Sequence, residues 1–533
     1  MSTVSSSPSS KGFTKDDLKS GFLVFLIALP LSLGIAMASG FPPVAGVLTA
    51  IVGGIVVTFL GGSRLTIKGP AAGLIVIALG AVQELGGGDL ALGYKRALAV
   101  GVVAAVLQIG FAVFRTATAG IAMSPSVVHG MLAAIGVIIV SKQAHTMVGI
   151  KPEAKEPLEL LAEIPQSFAH ANVPILIMGG AALVILFGMP LIRSKWVKMV
   201  PPPVIVLLVA VPLGLYFDLE HVHAYNIFHH HYDIGPDYLV QLPGSLLDAI
   251  AFPDFSVVFS AASLKYVVMY AMVGTIESTL SVLAVDSMDP EKRASDLNRD
   301  LLGVGIGNLI CSFIGGLPMI SEIVRSKANV DSGAKSKWSN FSHGAFLLIF
   351  VALLPGLLSM IPLAALAAML VYTGARLASP KEFVHAKHVG IDQLVLFLVT
   401  FVVTLATDLL IGVAAGIVVK FILHGLRGVS IASLFRPKVK ASRSGSTLEV
   451  EVQGAATFMA LLALRKELAV VDDKIENVRI DLSNVALVDH TFLSRLDAMS
   501  QEWSRAKLCL VGIESFEPSS DHVHASRKRR SHG

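Results

Sequence analysis

The sequence predicts a polytopic α-helical membrane protein with a small α/β domain near its C-terminal end, and three observations predict it. Hydrophobic residues make up 54% of the 533-residue chain and charged residues only 15%, against about a quarter in an ordinary soluble protein. The apolar residues are gathered in blocks: Val44–Leu60 and Leu394–Thr407 hold no Lys, Arg, Asp or Glu, and a bilayer core demands apolar helices of about 17–25 residues. After Arg436 the texture changes to short strands alternating with amphipathic helices, the pattern of a small α/β unit. With a mean hydropathy of +0.71, the composition excludes a soluble enzyme, a nucleic-acid binder and a disordered scaffold.

Apolar runs between polar breaks place seven segments near 21–38, 43–60, 70–85, 96–114, 124–141, 173–192 and 201–217. A polar, His-rich connection follows. Seven more then run near 264–285, 297–315, 318–330, 341–358, 361–376, 391–408 and 410–426. Residues 1–20 read as a cytoplasmic lead-in, because Ser-rich sequence and Lys11, Lys15 and Lys19 precede the first run without a cleavage signal. The membrane region therefore spans 21–430, with one set of seven over 21–217 and the other over 264–430.

Positive charges orient such a chain. With the N-terminus inside, inner loops carry Arg64, Lys68, Arg115, Arg193, Lys195, Lys198, Lys292, Arg293, Lys335, Lys337, Arg376, Lys381 and Arg427. Outer loops carry Lys95, Arg96, Lys142, Lys151, Lys155 and Lys265. The excess places both termini in the cytoplasm, in the inner (plasma) membrane of a cell. Cys311 and Cys509 lie in different environments, so no disulfide framework is expected.

In the C-terminal region, Leu448–Gln453 alternates as a strand, Met459–Leu468 as a helix, Asn477–Ser483 and Leu508–Gly512 as buried strands, and Thr491–Trp503 as a helix. Little helical pattern follows Gly512. The domain is expected over 437–516, and 517–533 is expected to be a disordered tail ending in Arg527-Lys528-Arg529-Arg530.

Two short segments begin at Lys68-Gly69-Pro70-Ala71-Ala72-Gly73 and at Gly315-Gly316-Leu317-Pro318-Met319-Ile320-Ser321, each the third of its set. Proline suits the first turn of a helix and glycine lets the backbone break. Matched broken segments in two halves are the mark of an inverted-repeat transporter. Their helix N-termini expose N–H groups and a positive dipole end, where an anion can sit near the midplane.

Glu277 lies in the middle of the segment 264–285, where a charge costs about 2.5–3.5 kcal/mol and so usually faces a cavity. Ser281 is one turn on, on the same face. The pair can hold Na⁺ with backbone carbonyls, Glu277 can carry a proton, or the carboxyl can bond structurally to a neighbouring helix. Arg325 either supplies positive potential to an anion, snorkels to the surface, or pairs with Glu322 at i,i+3. The loop histidines His221, His223, His229, His230 and His231 come without a carboxylate or Cys set, so no firm metal site is expected there.

The stretch Gly315-Gly316-Leu317-Pro318, Arg325-Ser326, Asn329-Val330 and Gly333-Ala334-Lys335 resembles the signature of the SulP/solute-carrier-26 anion transporters. So do Ala28-Leu29-Pro30-Leu31-Ser32 with Ala36 and Ser39-Gly40, and Ile276-Glu277-Ser278 with Leu280-Ser281. Ile480-Asp481-Leu482-Ser483 with Val488-Asp489-His490-Thr491 is similar to the strand–loop–helix of a STAS domain.

The resemblance implies a seven-plus-seven inverted repeat with uracil-permease-like core and gate domains and a cytoplasmic STAS domain. It implies a homodimeric, non-enzymatic carrier working by an elevator-like motion. By analogy the anion sits at Ala71, Ala72, Gly73, Met319, Ile320 and Ser321. Glu277 and Ser281 match positions that hold Na⁺ in bicarbonate carriers, and proton-coupled sulfate relatives use a glutamate in the same helix. Bicarbonate is the first expected substrate and sulfate the second, with Na⁺ or H⁺ as coupling ion and no other cofactor. Expected partners are the lipid bilayer, a second copy, and a cytoplasmic regulator of the STAS domain or a carbonic anhydrase, with no nucleic acid.

Three features depart from the family pattern. Glu322 stands where many relatives are neutral and offsets Arg325; Ala71-Ala72 stand where some have a hydroxyl; and the STAS region is abbreviated, with Thr491 at its phosphosite position flanked by His490 rather than a small residue. An anion sensor signalling through the STAS domain and a nucleobase–proton symporter of the same fold are the alternatives.

Overall fold

The computed structural model describes residues 12–117, 124–154, 156–194, 200–227, 230–244, 246–429, 433–434, 437–468, 475–500 and 506–530. Lys11, Lys155, Lys195, Lys198, His229 and residues 531–533 lie outside them.

The first set of segments forms α1 (Lys15–Ala38), α2 (Pro43–Ile55, continued by Val57–Leu60), strand β1 (Ile67–Pro70), α3 (Ile75–Gly86), α4 (Leu90–Val113), α5 (Pro125–Met147), α6 (Pro157–Ala169), α7 (Val173–Gly188) and α8 (Pro202–Tyr216). The His-rich connection holds a hairpin of β2 (His223–Ile227) and β3 (His230–Ile234). Among the described residues no group of three His, Cys, Asp or Glu side chains is placed to hold a metal.

The second set forms α9 (Ala261–Met288), α10 (Leu297–Ile314), β4 (Met319–Glu322), α11 (Ile323–Asp331), α12 (Trp338–Leu353), α13 (Leu363–Leu377), α14 (Pro380–Val389), α15 (Ile391–Ala406) and α16 (Leu409–Leu426). Among the described residues eight helical spans have the length and apolarity to cross a membrane, and four shorter apolar helices accompany them. Every expected segment has its helix, and the order is as the sequence predicts. The amphipathic α6 and the polar α14 are additions, because neither forms an apolar run.

Two expectations need correction. The broken segments do not start as helices at their prolines. Pro70 ends strand β1 and Pro318 precedes strand β4, and the helices proper begin at Ile75 and Ile323. The reason is that β1 and β4 pair antiparallel with each other, Ile67 opposite Glu322 and Pro70 opposite Met319, so the backbone stays extended until that ladder ends. Lys68, counted above as a loop charge, is 2% exposed. Lys95, Arg96, Lys142 and Lys265 likewise lie within helices.

Contacts divide the chain into two compact units, each described by itself. The first comprises residues 1–115, 136–290 and 295–376; the second comprises 116–135, 291–294 and 377–533. The first is a helical bundle around the β1–β4 ladder. Its entry is capped by Thr14, whose hydroxyl accepts from the Asp17 N–H at 3.1 Å, with Asp16 and Asp17 at the positive end of the α1 dipole. Asp17 in turn accepts from the backbone N–H groups of Lys335 and Ser336, both at 2.9 Å. Helices α2 and α12 meet at Gly54 and Gly344, where a Cβ on Gly54 would stand 2.5 Å from the Gly344 Cα, the small-residue contact that lets membrane helices approach.

The second unit joins α14, α15 and α16 to the C-terminal domain. Its sheet contains β5 (Lys438–Ser444), β6 (Thr447–Ala456), β7 (Asn477–Val488), β8 (Lys507–Val511), β9 (Phe516–Pro518) and β10 (Arg527–Arg529), with helices α17 (Phe458–Leu468) and α18 (His490–Ser500) between strands. β6 and β8 pair parallel with β7, and β5 pairs antiparallel with β6. Leu448, Val450 and Val452 of β6 are buried on one face, as the alternation predicts. The expected disordered tail is corrected for residues 517–530. β10 pairs antiparallel with the end of β7 and with β9, because the last residues of β7 run past β8 and leave an edge that β10 fills.

Candidate functional site

The site is built where β1 and β4 meet beneath α9. Two networks hold the ladder. Lys68 Nζ contacts both Asp300 carboxylate oxygens at 2.8 and 3.0 Å and donates to Ser321 Oγ at 2.8 Å and to Thr66 Oγ1. Ser321 Oγ donates to Asp300 Oδ2 at 2.8 Å, and Asp300 Oδ1 also accepts from the Ser63 N–H at 3.0 Å. Lys68 and Asp300 are both essentially buried, and this full set of partners is what makes a buried pair tolerable. In the second network Asn308 accepts the Met319 N–H at 2.6 Å and returns its amide to the Met319 carbonyl at 3.1 Å and to Gln108 at 2.8 Å.

These bonds use up donors that the sequence reading reserved for an anion. The Met319 N–H goes to Asn308, the Ser321 N–H to Ser278 Oγ at 3.1 Å, the Ala71 N–H to the Pro318 carbonyl at 3.4 Å, and the Ala72 N–H to the Glu322 carboxylate. The Ser321 hydroxyl belongs to the Lys68–Asp300 network. Ala71, Met319, Ile320 and Ser321 are all buried within the ladder region.

What remains open is a set of side chains. Glu277, 7% exposed on α9, lies with its carboxylate against Gly73, and Ser281 lies one turn further along α9, also buried. Glu322 ends β4. Arg325, 1% exposed, does not snorkel. Its Nη1 donates to Ser32 Oγ on α1 at 3.2 Å and lies against Gly69. His343 on α12 is fully buried and within electrostatic reach of Arg325. Both oxygens of Glu277, Oε1 of Glu322, Nε and Nη2 of Arg325 and both ring nitrogens of His343 have no hydrogen-bond partner among the described residues. Buried polar atoms are almost always partnered, so these seven mark the candidate site.

The sequence brought out Glu277, Gly73, Glu322 and Arg325 but missed Lys68, Asp300, Asn308 and His343. Asp300 had the same signal as Glu277, an acid inside an apolar segment, and Lys68 touches the first Gly-Pro. In the second unit Thr491 is 1% exposed and accepts from Lys420 Nζ at 3.0 Å. Lys420 also lies 3.1 Å from Asp489.

Residues 14–400 match the model of the sulfate permease family. The putative sulfate transporter YvdB of Bacillus subtilis is 26% identical over 509 residues, covering 94% of this chain and 91% of its own. The transmembrane domain of a cyanobacterial bicarbonate transporter, BicA, superposes with a TM-score of 0.61 at 22% identity, over 76% of this chain and 97% of that one. The murine solute carrier 26 family member A9 anion transporter, in its inward-facing state, superposes with a TM-score of 0.67 at 16% identity, over 94% of this chain and 86% of that one. The family match runs through the segments that build the β1–β4 ladder and the side chains around it. The chain thus belongs to the sulfate permease family, as a multi-pass membrane anion transporter and not an enzyme.

Proposed function

We propose that the protein is a secondary active transporter of a small inorganic anion, bicarbonate first and sulfate second, coupled to Na⁺ or H⁺ through Glu277. The observation that carries this reading is the group of seven unpartnered buried polar atoms on Glu277, Glu322, Arg325 and His343 beside the β1–β4 ladder. Arg325 supplies the N–H fork suited to an oxyanion. With the ladder N–H groups committed, the anion is held by the Arg325 Nε and Nη2 donors and the Gly73 turn rather than by Ala71, Ala72, Met319, Ile320 and Ser321. Glu277 supplies the negative charge that a cation or proton neutralises, with Ser281 one turn away as an additional oxygen. An anion and a cation beside oppositely charged groups offset each other's burial, which favours their moving together.

An elevator-like movement of a core domain past a gate domain, a homodimer, a cytoplasmic STAS domain and insertion in the inner membrane with both termini inside complete the proposal. They rest on the family, the positive-charge distribution and the strand–helix pattern after Arg436. Cytoplasmic partners of the C-terminal domain belong to the same proposal.

The test is uptake of labelled bicarbonate and labelled sulfate into proteoliposomes under an imposed Na⁺ gradient and, separately, a pH gradient. Sodium-driven bicarbonate uptake that disappears in Glu277→Gln is the expected result. Proton-driven sulfate uptake would reverse the substrate and the coupling ion. Anion binding without uptake of either would replace transport with sensing.

A further inference from the structure

Between β9 and β10 the chain runs as a strap, residues 519–526, over the polar ends of the membrane helices of its own unit. Ser520 Oγ donates to the Val389 and His388 carbonyls at the end of α14, at 2.7 and 3.2 Å. Ser526 Oγ donates to Asp392 Oδ2 in the first turn of α15 at 2.8 Å, and Arg427 at the end of α16 reaches the same carboxylate at 3.0 Å. The strap is therefore fastened directly to α14 and α15, and through Asp392 to the end of α16, while its two ends belong to the C-terminal sheet.

Five imidazoles meet at this junction. His385 and His388 lie on α14, His490 opens α18, and His522 and His524 lie on the strap. Ring centroids are 6.0 Å apart for His385 and His522, 5.6 Å for His522 and His524, and 6.5 Å from His490 to each of these two strap rings. One bond fixes a protonation state. The His524 backbone N–H donates to His522 Nδ1 at 3.1 Å, so that nitrogen must carry a lone pair. His490 Nδ1 instead donates to the His524 carbonyl at 2.9 Å.

Counter-charge is scarce. Asp497 on α18 faces His524 at 3.4 Å. Asp489 is beside Lys420 and His424 of α16 and within electrostatic reach of His490, Glu382 on α14 is beside His129 of α5 and within electrostatic reach of His385, and Asp392 is shared by Arg427 and Ser526. Asp521 is exposed on the strap, while Lys387 on α14 and Arg527 on β10 add positive charge. Protonating His522 thus breaks a bond within the strap and sets a cation among four other imidazoles.

We propose that this imidazole cluster is a proton-binding site that releases the strap, and with it the C-terminal domain, from the ends of the membrane helices under mild acid. Burial, together with the neighbouring His524, His385 and His388, holds His522 below the ordinary histidine value, and burial does the same to His490. A histidine held low in the docked state takes its proton more readily once undocked. Docking is therefore complete above about pH 6.5, the ordinary histidine value, and weakens as pH falls, by about tenfold per pH unit for each proton gained on release. Below the depressed docked-state value the loss levels off.

The experiment is hydrogen–deuterium exchange on the full chain in lipid nanodiscs at pH 7.5 and 5.5, corrected for intrinsic exchange rates. Peptides covering 380–392 and 519–527 are expected to open about tenfold or more at pH 5.5, while the β6 and β7 peptides keep their protection. His522→Asn keeps an acceptor for the His524 N–H that does not titrate, and is expected to hold the strap at both pH values. Equal protection of the wild-type strap at the two pH values overturns the proposal, as does an undiminished acid response in His522→Asn. Loss of β6 and β7 protection along with the strap also overturns it, since that is general acid unfolding.

Discussion

The Glu277 carboxylate closes over the Cα of Gly73, so near that a methyl group at position 73 would overlap both of its oxygens. The pair joins a broken segment of the first repeat to a membrane helix of the second. Only glycine leaves room for the carboxylate.

Gly73→Ala is therefore expected to displace Glu277 and abolish cation-driven uptake, with an overpacking cost of about 1–3 kcal/mol. The check is uptake in proteoliposomes beside thermal unfolding in detergent. Normal uptake by a folded Gly73→Ala protein would remove the contact from the transport cycle.

Lys68→Met leaves the Asp300 carboxylate buried beside Ser321 without its cation. Breaking a buried pair by removing one partner costs about 3–5 kcal/mol, and the melting temperature should fall accordingly. Lys68→Met combined with Asp300→Leu should recover much of the loss, because both charges are then gone.

Arg325→Lys keeps the positive charge but loses the planar fork that offers Nε and Nη2 together. The anion KM is expected to rise about tenfold or more, roughly 1.4 kcal/mol, with the protein still folded. An unchanged KM would place the anion away from this side chain.

Lys420→Met removes the cation beside Asp489 and the donor to Thr491. The C-terminal domain should then loosen from α16, read as faster limited proteolysis between residues 427 and 447. Phosphorylation of Thr491, buried as it is, should be slow in the wild type and faster in this variant.

The membrane helices were legible because each must supply its own apolar length, and length is a property of sequence alone. Glu277 was legible for the complementary reason, a charge where charge is expensive. The β1–β4 ladder was not. Its four residue pairs join positions about 250 apart in the chain, and a Gly-Pro reads equally as the start of a helix or the end of a strand. Lys68 was misread because charge counting treats a lysine between two apolar runs as loop, and only the fold brings Asp300 to it. β10 was missed because Arg527-Lys528-Arg529 has no apolar face. What holds it is the open edge of β7, which is information carried elsewhere in the sequence.

The pairing of β1 with β4 also bears on ancestry and engineering. Each repeat contributes one strand of a two-stranded ribbon that neither can form alone, and each leaves its partner's hydrogen bonds unmade if the two are parted. A chain severed in the connection between them would yield two fragments with no binding capacity until they reassociate. Substitutions in one strand would have to be matched in the other, so the two halves of this chain are constrained as a couple rather than independently.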